Sequence, residues 1–451
     1  MEKTVFHQKL VRLVLPIAFQ QFMLALVSAS DALMLGAISQ EALAAVSLAG
    51  QITFVQNLFL AAMTIGLSML AAQYWGKGEI PAVERIFAYV LKLTAAVSLL
   101  FTLAACACPV LLMRIFTSDP TLTAQGAVYL RAVSASYFLT GISQIYLCIL
   151  KNSGKAARSS AISSTSVILN IVCNAVFIYG LLGVPRLEIT GAAAATVLAR
   201  VVEVCWCLLE TAKKDRVKLQ WRYVRRDDRR LRGDFWRYTW PVLGNELVWG
   251  VGFTMYSVIM GHLGTDAVAA NSIANIVKNL VACFGLGLGS GGGIIVGNEL
   301  GAGRLERAKA YGARLCKFAI GCGAASGAVL LALIPVIPTV TNLTDTARHY
   351  LTGMIVMCSY YMIGKSINGT TISGIFCAGG DSRFGLICDT VTLWCITVPL
   401  GFIGAFLFHW PVLAVYFVVN LDEIIKLPAV YLHYKKYQWV RDLTVKEETV
   451  P

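Results

Sequence analysis

The chain has 451 residues, of which 57% are apolar and only 14% charged, and its mean hydropathy is +0.68. A water-soluble chain of this size carries about a quarter charged residues, so a soluble enzyme or soluble binding domain is excluded. The net charge of +13 would suit nucleic acid, but the basic residues sit in the loops between long apolar stretches, which predicts a polytopic helical membrane protein with no nucleic-acid partner.

Twelve spans are predicted, at 13–37, 47–72, 86–112, 126–150, 160–183, 190–212, 235–261, 267–297, 308–334, 350–376, 385–408 and 411–433. The first, "LPIAFQQFMLALVSASDALMLG", is too long for a cleavable signal and lacks a small-residue cleavage site, so none is expected. It contains Asp31, and an ionised acid in mid-membrane costs roughly 3 kcal/mol or more. Asp31 reads either as an interfacial acid near the outer end of the span or as a titratable acid that lines a cavity and exchanges protons near neutral pH. The fifth span, "SVILNIVCNAVFIYG", carries Asn170 and Asn174 four apart and therefore on one face. By themselves they read as interhelical hydrogen-bond glue or as ligands. In the sixth span Thr196 is expected to bond its own backbone where nothing else is near, and Arg200 with Glu203 reads as a structural pair.

The loop after the sixth span, "KKDRVKLQWRYVRRDDRRLR", holds ten basic residues, and Lys77, Arg85, Lys151, Lys155, Arg158, Arg304, Arg307, Lys309 and Arg383 lie in loops on the same side. The opposite side has Arg114, Arg186 and Arg348, with Arg131 nearby. The positive-inside rule puts the basic loops, and both termini with them, in the cytoplasm of a bacterial inner membrane, with the linker on anionic headgroups. In the seventh span Glu246 reads equally as a site acid or as half of an ion pair, with Lys278 and Lys365 as its partners or as cavity-lining cations. Asp422, Glu423 and Lys426 in the last span are read as structural.

The eighth span ends in "GLGLGSGGGIIVGNELGAG", where Gly287, Gly289 and Gly292 satisfy G-x-G-x-x-G. A dinucleotide fingerprint needs a strand before it and a helix after it, whereas here both flanks continue one apolar span. Close helix approach or bending explains the glycines better. "SYYMIGKS" at 359–366 lacks the first glycine of a P-loop and lies within the tenth span. Thirteen cysteines fall mainly within spans with no C-x-x-C, and the five histidines are scattered, so no structural metal and no cofactor are expected.

The two halves repeat. At a constant spacing of 225 residues Pro16 meets Pro241, Gly36 meets Gly261, Gly76 meets Gly301, Gly78 meets Gly303, Gly154 meets Gly379 and Arg158 meets Arg383. Six spans per half is an even number, so the repeat is parallel. The expected domains are 1–212 (N-lobe), 213–234 (basic linker), 235–434 (C-lobe) and 435–451 (tail). At the same spacing Asp31 meets Tyr256, Asn170 meets Cys395, Asn174 meets Pro399 and Thr196 meets Leu421. The polar set of the first half is therefore not repeated, which favours a functional site in the N-lobe over a purely architectural one.

Taken together, Pro16 with "SDALMLG", "LAAVSLAGQI", "AAQYWGKGE", "NIVCNAVFIYG", "ITGAAAAT", "AVAANSIANIV", "VGNELGAG" and "AGGDSRF" resemble the multidrug and toxic compound extrusion (MATE) family over essentially the whole chain. The resemblance implies an all-α fold of twelve transmembrane helices in two six-helix lobes forming a V, with alternating access and efflux coupled to H⁺ or Na⁺. It implies that Asp31 is the coupling acid, in a network with Asn170, Asn174 and Thr196, where Na⁺ could also be held. Two departures stand out: several members have Asp at the position of Asn174, and Glu246 lies nearer Pro241 than the C-lobe acid of Na⁺-linked members. The expected function is a cation-coupled multidrug antiporter, not an enzyme, a monomer whose partners are drug-like amphipathic cations and membrane lipids. A lipid-linked oligosaccharide flippase of the same superfamily is the alternative that Lys278 and Lys365 keep open. A membrane-embedded transferase would need acid and His clusters at loop edges, which His262, His349 and His409 do not form.

Overall fold

The computed structural model describes residues 2–225, 228–337 and 343–445, and among these there is helix and no strand. Arg226 and Asp227 of the basic linker and residues 446–451 of the tail lie outside the described residues. The first half comprises α1 (Glu2–Gly36), α2 (Gln40–Lys77), α3 (Ile80–Ala107), a short α4 (Pro109–Arg114), α5 (Pro120–Asn152), α6 (Ala156–Tyr179) and α7 (Glu188–Thr211). A one-turn α8 (Trp221–Arg225) leads to α9 (Arg229–Gly261), α10 (Thr265–Gly301), α11 (Leu305–Leu333), α12 (Asp345–Asn368), α13 (Arg383–Asp389), α14 (Val398–Phe402), α15 (Val412–Val419) and α16 (Asp422–Lys435). Wider π-helical turns at Gly369–Phe376, Thr390–Thr397 and Ile403–Leu407 extend α12 and join α13 and α14 into one rod.

Ten helices among the described residues are long and apolar enough to cross a membrane. The predicted spans 350–376 and 411–433 are not among the ten, although helix fills both places. Polar residues dilute α12, and the last span breaks at Asn420–Leu421 into α15 and α16, whose first turn holds Asp422 and Glu423. The repeat spacing reappears in the helix boundaries. Gln40 and Thr265, Ile80 and Leu305, and Pro120 and Asp345 all begin helices, while Gly36 and Gly261 end them. Even the caps correspond: Asp119 accepts from the N–H of Thr121 at 2.7 Å, and its counterpart Thr344 accepts from that of Ala347 at 3.1 Å.

The chain divides into two compact units. One is Met23–Ala71 with Glu79–Asp234; the other is Met1–Phe22, Ala72–Gly78 and Phe235–Pro451. Within the first, polar bonds tie the helices: Gln56 donates to the Tyr137 carbonyl at 2.8 Å, Ser68 to Asn152 Oδ1 at 2.9 Å, and Ser166 to the Ala199 carbonyl at 2.9 Å. The basic linker is seated on this unit, with Glu84 accepting from the Lys218 N–H at 3.1 Å and Arg85 paired with Asp228 at 3.0 Å.

The second unit is built around α10, and here the glycine run finds its explanation. A Cβ at Gly287 would lie 2.6 Å from Ala18 of α1, one at Gly291 2.8 Å from Val14, and one at Gly289 2.8 Å from the Gly369 carbonyl oxygen. A Cβ at Gly374 would in turn lie 2.6 Å from the carbonyl oxygen of Gly289. The backbones of α10, α1 and the extension of α12 meet where any side chain would hold them apart. At the end of the run the buried Glu299 is clasped by Lys9 of α1 at 2.8 Å and by Arg304 at 2.6 Å.

Candidate functional site

The alanine-rich start of α7 sets the first site. Gly191 sits against the backbone of Phe177, where a Cβ would come within 2.8 Å, and Ala192, Ala193 and Ala195 are buried. Small residues let α7 approach α6 closely, which brings Thr196 up to Asn170. Asn170 Nδ2 donates to Thr196 Oγ1 at 3.2 Å, and Thr196 donates to the Ala192 carbonyl at 3.0 Å. Asn174, fully buried one turn along α6, donates from Nδ2 to Asn170 Oδ1 at 3.1 Å and to Asp31 Oδ1 of α1 at 2.5 Å. The structure thus brings Asp31, Asn174, Asn170 and Thr196 into one chain of hydrogen bonds.

Asn174 uses its amide nitrogen twice and leaves its own buried Oδ1 without a hydrogen-bond partner among the described residues. A buried carbonyl oxygen in that condition forgoes roughly 1–3 kcal/mol, and it lies on the side chain that already touches a carboxylate. Arg200, four residues past Thr196, is held by Glu203 at 2.9 Å, as the spacing predicted, and its charge is felt at Asp31. At the repeat position of Asp31 the second half has Tyr256, whose hydroxyl lies 2.5 Å from Thr397 Oγ1. A neutral pair stands where the first half has an acid.

The second-half residues assemble differently from the sequence expectation. Glu246 of α9 is half-buried and makes no hydrogen bond or ion pair among the described residues, although the charges of Lys365 and Asp389 reach it. Lys365 of α12 pairs instead with Glu423 at 3.3 Å, and Lys278 of α10 lies over the Tyr361 ring at 4.9 Å. Asp422, Glu423 and Lys426 join a buried network. Lys426 Nζ is 2.8 Å from Asp389, 3.3 Å from Glu423 and 3.8 Å from Asp422, while Asn368 donates to Glu423 Oε2 at 2.7 Å. Three carboxylates thus face two ammonium groups, and every member except Lys365 is nearly inaccessible. Asp389 and Asn368 were missed in the sequence, because neither lies at helical spacing from the residues it touches.

The family model MatE matches this chain twice, at residues 16–176 and 241–403. The two matches begin at Pro16 and Pro241, the same 225-residue spacing that the glycines obey. "Uncharacterized transporter YisQ" of Bacillus subtilis is 20% identical over 91% of this chain and 90% of its own length. "Probable multidrug resistance protein NorM" of Rhizobium meliloti is 25% identical over 85% and 83%. Among solved structures, a variant of the MATE transporter VcmN from Vibrio cholerae superposes with a TM-score of 0.88 at 17% identity, covering 98% of each chain. That structure shares the fold of this chain.

Proposed function

This chain belongs to the MatE family, the efflux-transporter family that its motifs resemble, and from that premise we propose that it is a cation-coupled antiporter exporting drug-like amphipathic cations by alternating access. On this reading it is a monomer that carries out no chemical step, set in a bacterial inner membrane with its basic loops on the cytoplasmic side. The multidrug name of its Rhizobium relative supports the substrate class.

One observation carries the proposal. Asp31 is the one acid in a predominantly apolar span, and it is bonded to a polar chain whose buried Asn174 Oδ1 has no partner among the described residues. A charged carboxylate in such a setting favours whichever conformation gives it a counter-charge or water. Binding H⁺ removes the charge and changes which conformation is preferred. Coupling then follows from competition: cation bound at Asp31 from outside disfavours the drug-bound outward state, and drug is released there. A second reading, with Na⁺ as the coupling ion, is favoured by that same free oxygen. Asp31, Asn174 Oδ1, Asn170 and Thr196 offer the hard oxygen donors Na⁺ takes. The unrepeated polar set supports the N-lobe as the coupling lobe.

The test uses the full chain in proteoliposomes loaded with a fluorescent organic cation, driven by a pH gradient in one arm and a Na⁺ gradient in the other. Asp31→Asn keeps the shape and removes the titratable group. It is expected to insert normally, to lose active efflux in whichever arm drives the wild type, and to bind substrate without pH dependence. Efflux by this variant near the wild-type rate would make Asp31 structural and end the proposal.

A further inference from the structure

At the basic end of the second unit a cavity of about 120 Å³ is lined by Arg237, Tyr238, Asp381, Ser382, Arg383 and Arg441. Its volume is that of roughly four liquid waters. Three elements converge on it: α9 supplies Arg237, the turn opening the 383–407 rod supplies Asp381 to Arg383, and the segment after α16 supplies Arg441. That last segment is fastened in place. Gln73 donates to the carbonyls of Ala378 at 2.7 Å and Arg441 at 3.1 Å, and accepts from the Leu443 N–H at 2.7 Å. Trp439 beside it is fully buried.

The polar atoms of the cavity divide in a telling way. Its acid, Asp381, is engaged by His433 at 2.6 Å, and that ring is stacked on Phe384 with centroids 3.9 Å apart. Ser382 donates to the Tyr238 carbonyl at 2.7 Å. The guanidinium groups of Arg383 and Arg441 make no hydrogen bond or ion pair among the described residues. The cavity's one carboxylate is thus already engaged by His433, which leaves the charges of Arg383 and Arg441 in surplus around a small concavity, and a guanidinium fork matches the oxygens of a phosphate in a way an ammonium does not. The surroundings of the cavity point to the source of that phosphate. Arg237 stands beside Trp236, whose ring is 6.1 Å from that of Trp240, and Trp240 is 66% exposed. Exposed tryptophan is the mark of the membrane interface, and Arg383 opens a rod apolar enough to cross the membrane.

We propose that this cavity is a binding site for a phosphate group, supplied by the headgroup of an anionic phospholipid and gripped by Arg383 and Arg441 with Arg237 at its side. Occupancy would tie the fastened segment after α16 to the ends of α9 and of the 383–407 rod. The site lies apart from Asp31 and stands whether or not Asp31 is the coupling acid.

The experiment places the purified full chain in phosphatidylcholine nanodiscs with increasing phosphatidylglycerol, and reads retained lipid by native mass spectrometry alongside the thermal midpoint. Wild type should retain phosphatidylglycerol over phosphatidylcholine and gain stability from it. The double variant Arg383→Gln/Arg441→Gln should weaken that retention by about tenfold or more. Arg158→Gln, the repeat counterpart of Arg383, should leave it unchanged. A parallel arm adds inorganic phosphate or glycerol phosphate to phosphatidylcholine discs. Stabilisation of wild type and not of the double variant in that arm would keep the phosphate chemistry and assign it to a soluble ligand. Equal phosphatidylglycerol retention by wild type and the double variant would overturn the proposal. So would a loss of stability by the double variant in pure phosphatidylcholine, since the arginines would then serve the fold alone.

Discussion

Gly289→Ala tests whether the glycine run exists for backbone contact. The added Cβ would lie 2.8 Å from the carbonyl oxygen of Gly369 and 3.2 Å from its carbon. Both atoms belong to backbone, so no side chain can swing aside, and α10 must move off the extension of α12 by several tenths of an ångström. Overpacking of this kind costs about 1–3 kcal/mol. Helix propensity works the other way, because Ala is favoured over Gly by up to about 1 kcal/mol in a helix interior. Gly321→Ala in α11 supplies the reference: nothing lies within 4 Å of its Cβ, so it has the propensity gain without the clash. The difference between the two variants therefore isolates the contact at about 1–3 kcal/mol. At roughly 2–4 °C per kcal/mol for a unit of this size, Gly289→Ala should melt several degrees below Gly321→Ala in detergent. Midpoints that agree within error would refute close packing as the reason for the glycines.

Glu246→Gln should lower efflux only in part, since Glu246 holds no ion pair or hydrogen bond among the described residues and its repeat counterpart is the neutral Gln21; complete loss at normal expression would move the coupling site to the second half. Lys426→Met leaves Asp389, Asp422 and Glu423 facing Lys365 alone, and should cost about 3–5 kcal/mol, seen as a sharply lower thermal midpoint that Asp389→Leu partly restores. Asn174→Ala removes the amide between Asp31 and Asn170 and should reduce coupled efflux strongly, whereas Asn174→Asp should preserve transport and change its ion requirement; equal activity of both variants would show that Asn174 does not matter to coupling. Gln73→Ala breaks three hydrogen bonds, together worth about 1.5–4.5 kcal/mol at the usual 0.5–1.5 each, and should expose the segment around Arg441 to limited proteolysis.

What the sequence disclosed was what recurs at fixed intervals. Apolar length predicted the membrane spans, and matched Gly, Pro and Arg positions predicted the duplication that the helix starts at Gln40 and Thr265 repeat. The i, i+4 spacing placed Asn170 and Asn174 on one face of α6, and Arg200 found Glu203 at its expected spacing. Contacts between distant segments were out of reach. Asp389 meets Lys426 from another helix, and Asn368 meets Glu423 across α12 and α16, so only packing joins them. Lys365 stood as a candidate partner of Glu246, but Glu423 lies within ion-pair distance of it and Glu246 does not.

The single carboxylate at Asp31, with an amide at 174 where a second acid could stand, has a consequence for energetics if Asp31 couples transport. One titratable group exchanges one proton for one monovalent cation, so a cycle moves no net charge. Membrane voltage then contributes nothing, and each pH unit sustains at most about a tenfold substrate gradient, or about 1.4 kcal/mol. An acid at 174 would let two protons enter per cation and make the cycle electrogenic, adding about 2.3 kcal/mol for each 100 mV. Asparagine and aspartate differ here by one oxygen in place of one nitrogen, and if Asp31 couples transport to H⁺, that exchange sets whether the transporter can draw on voltage.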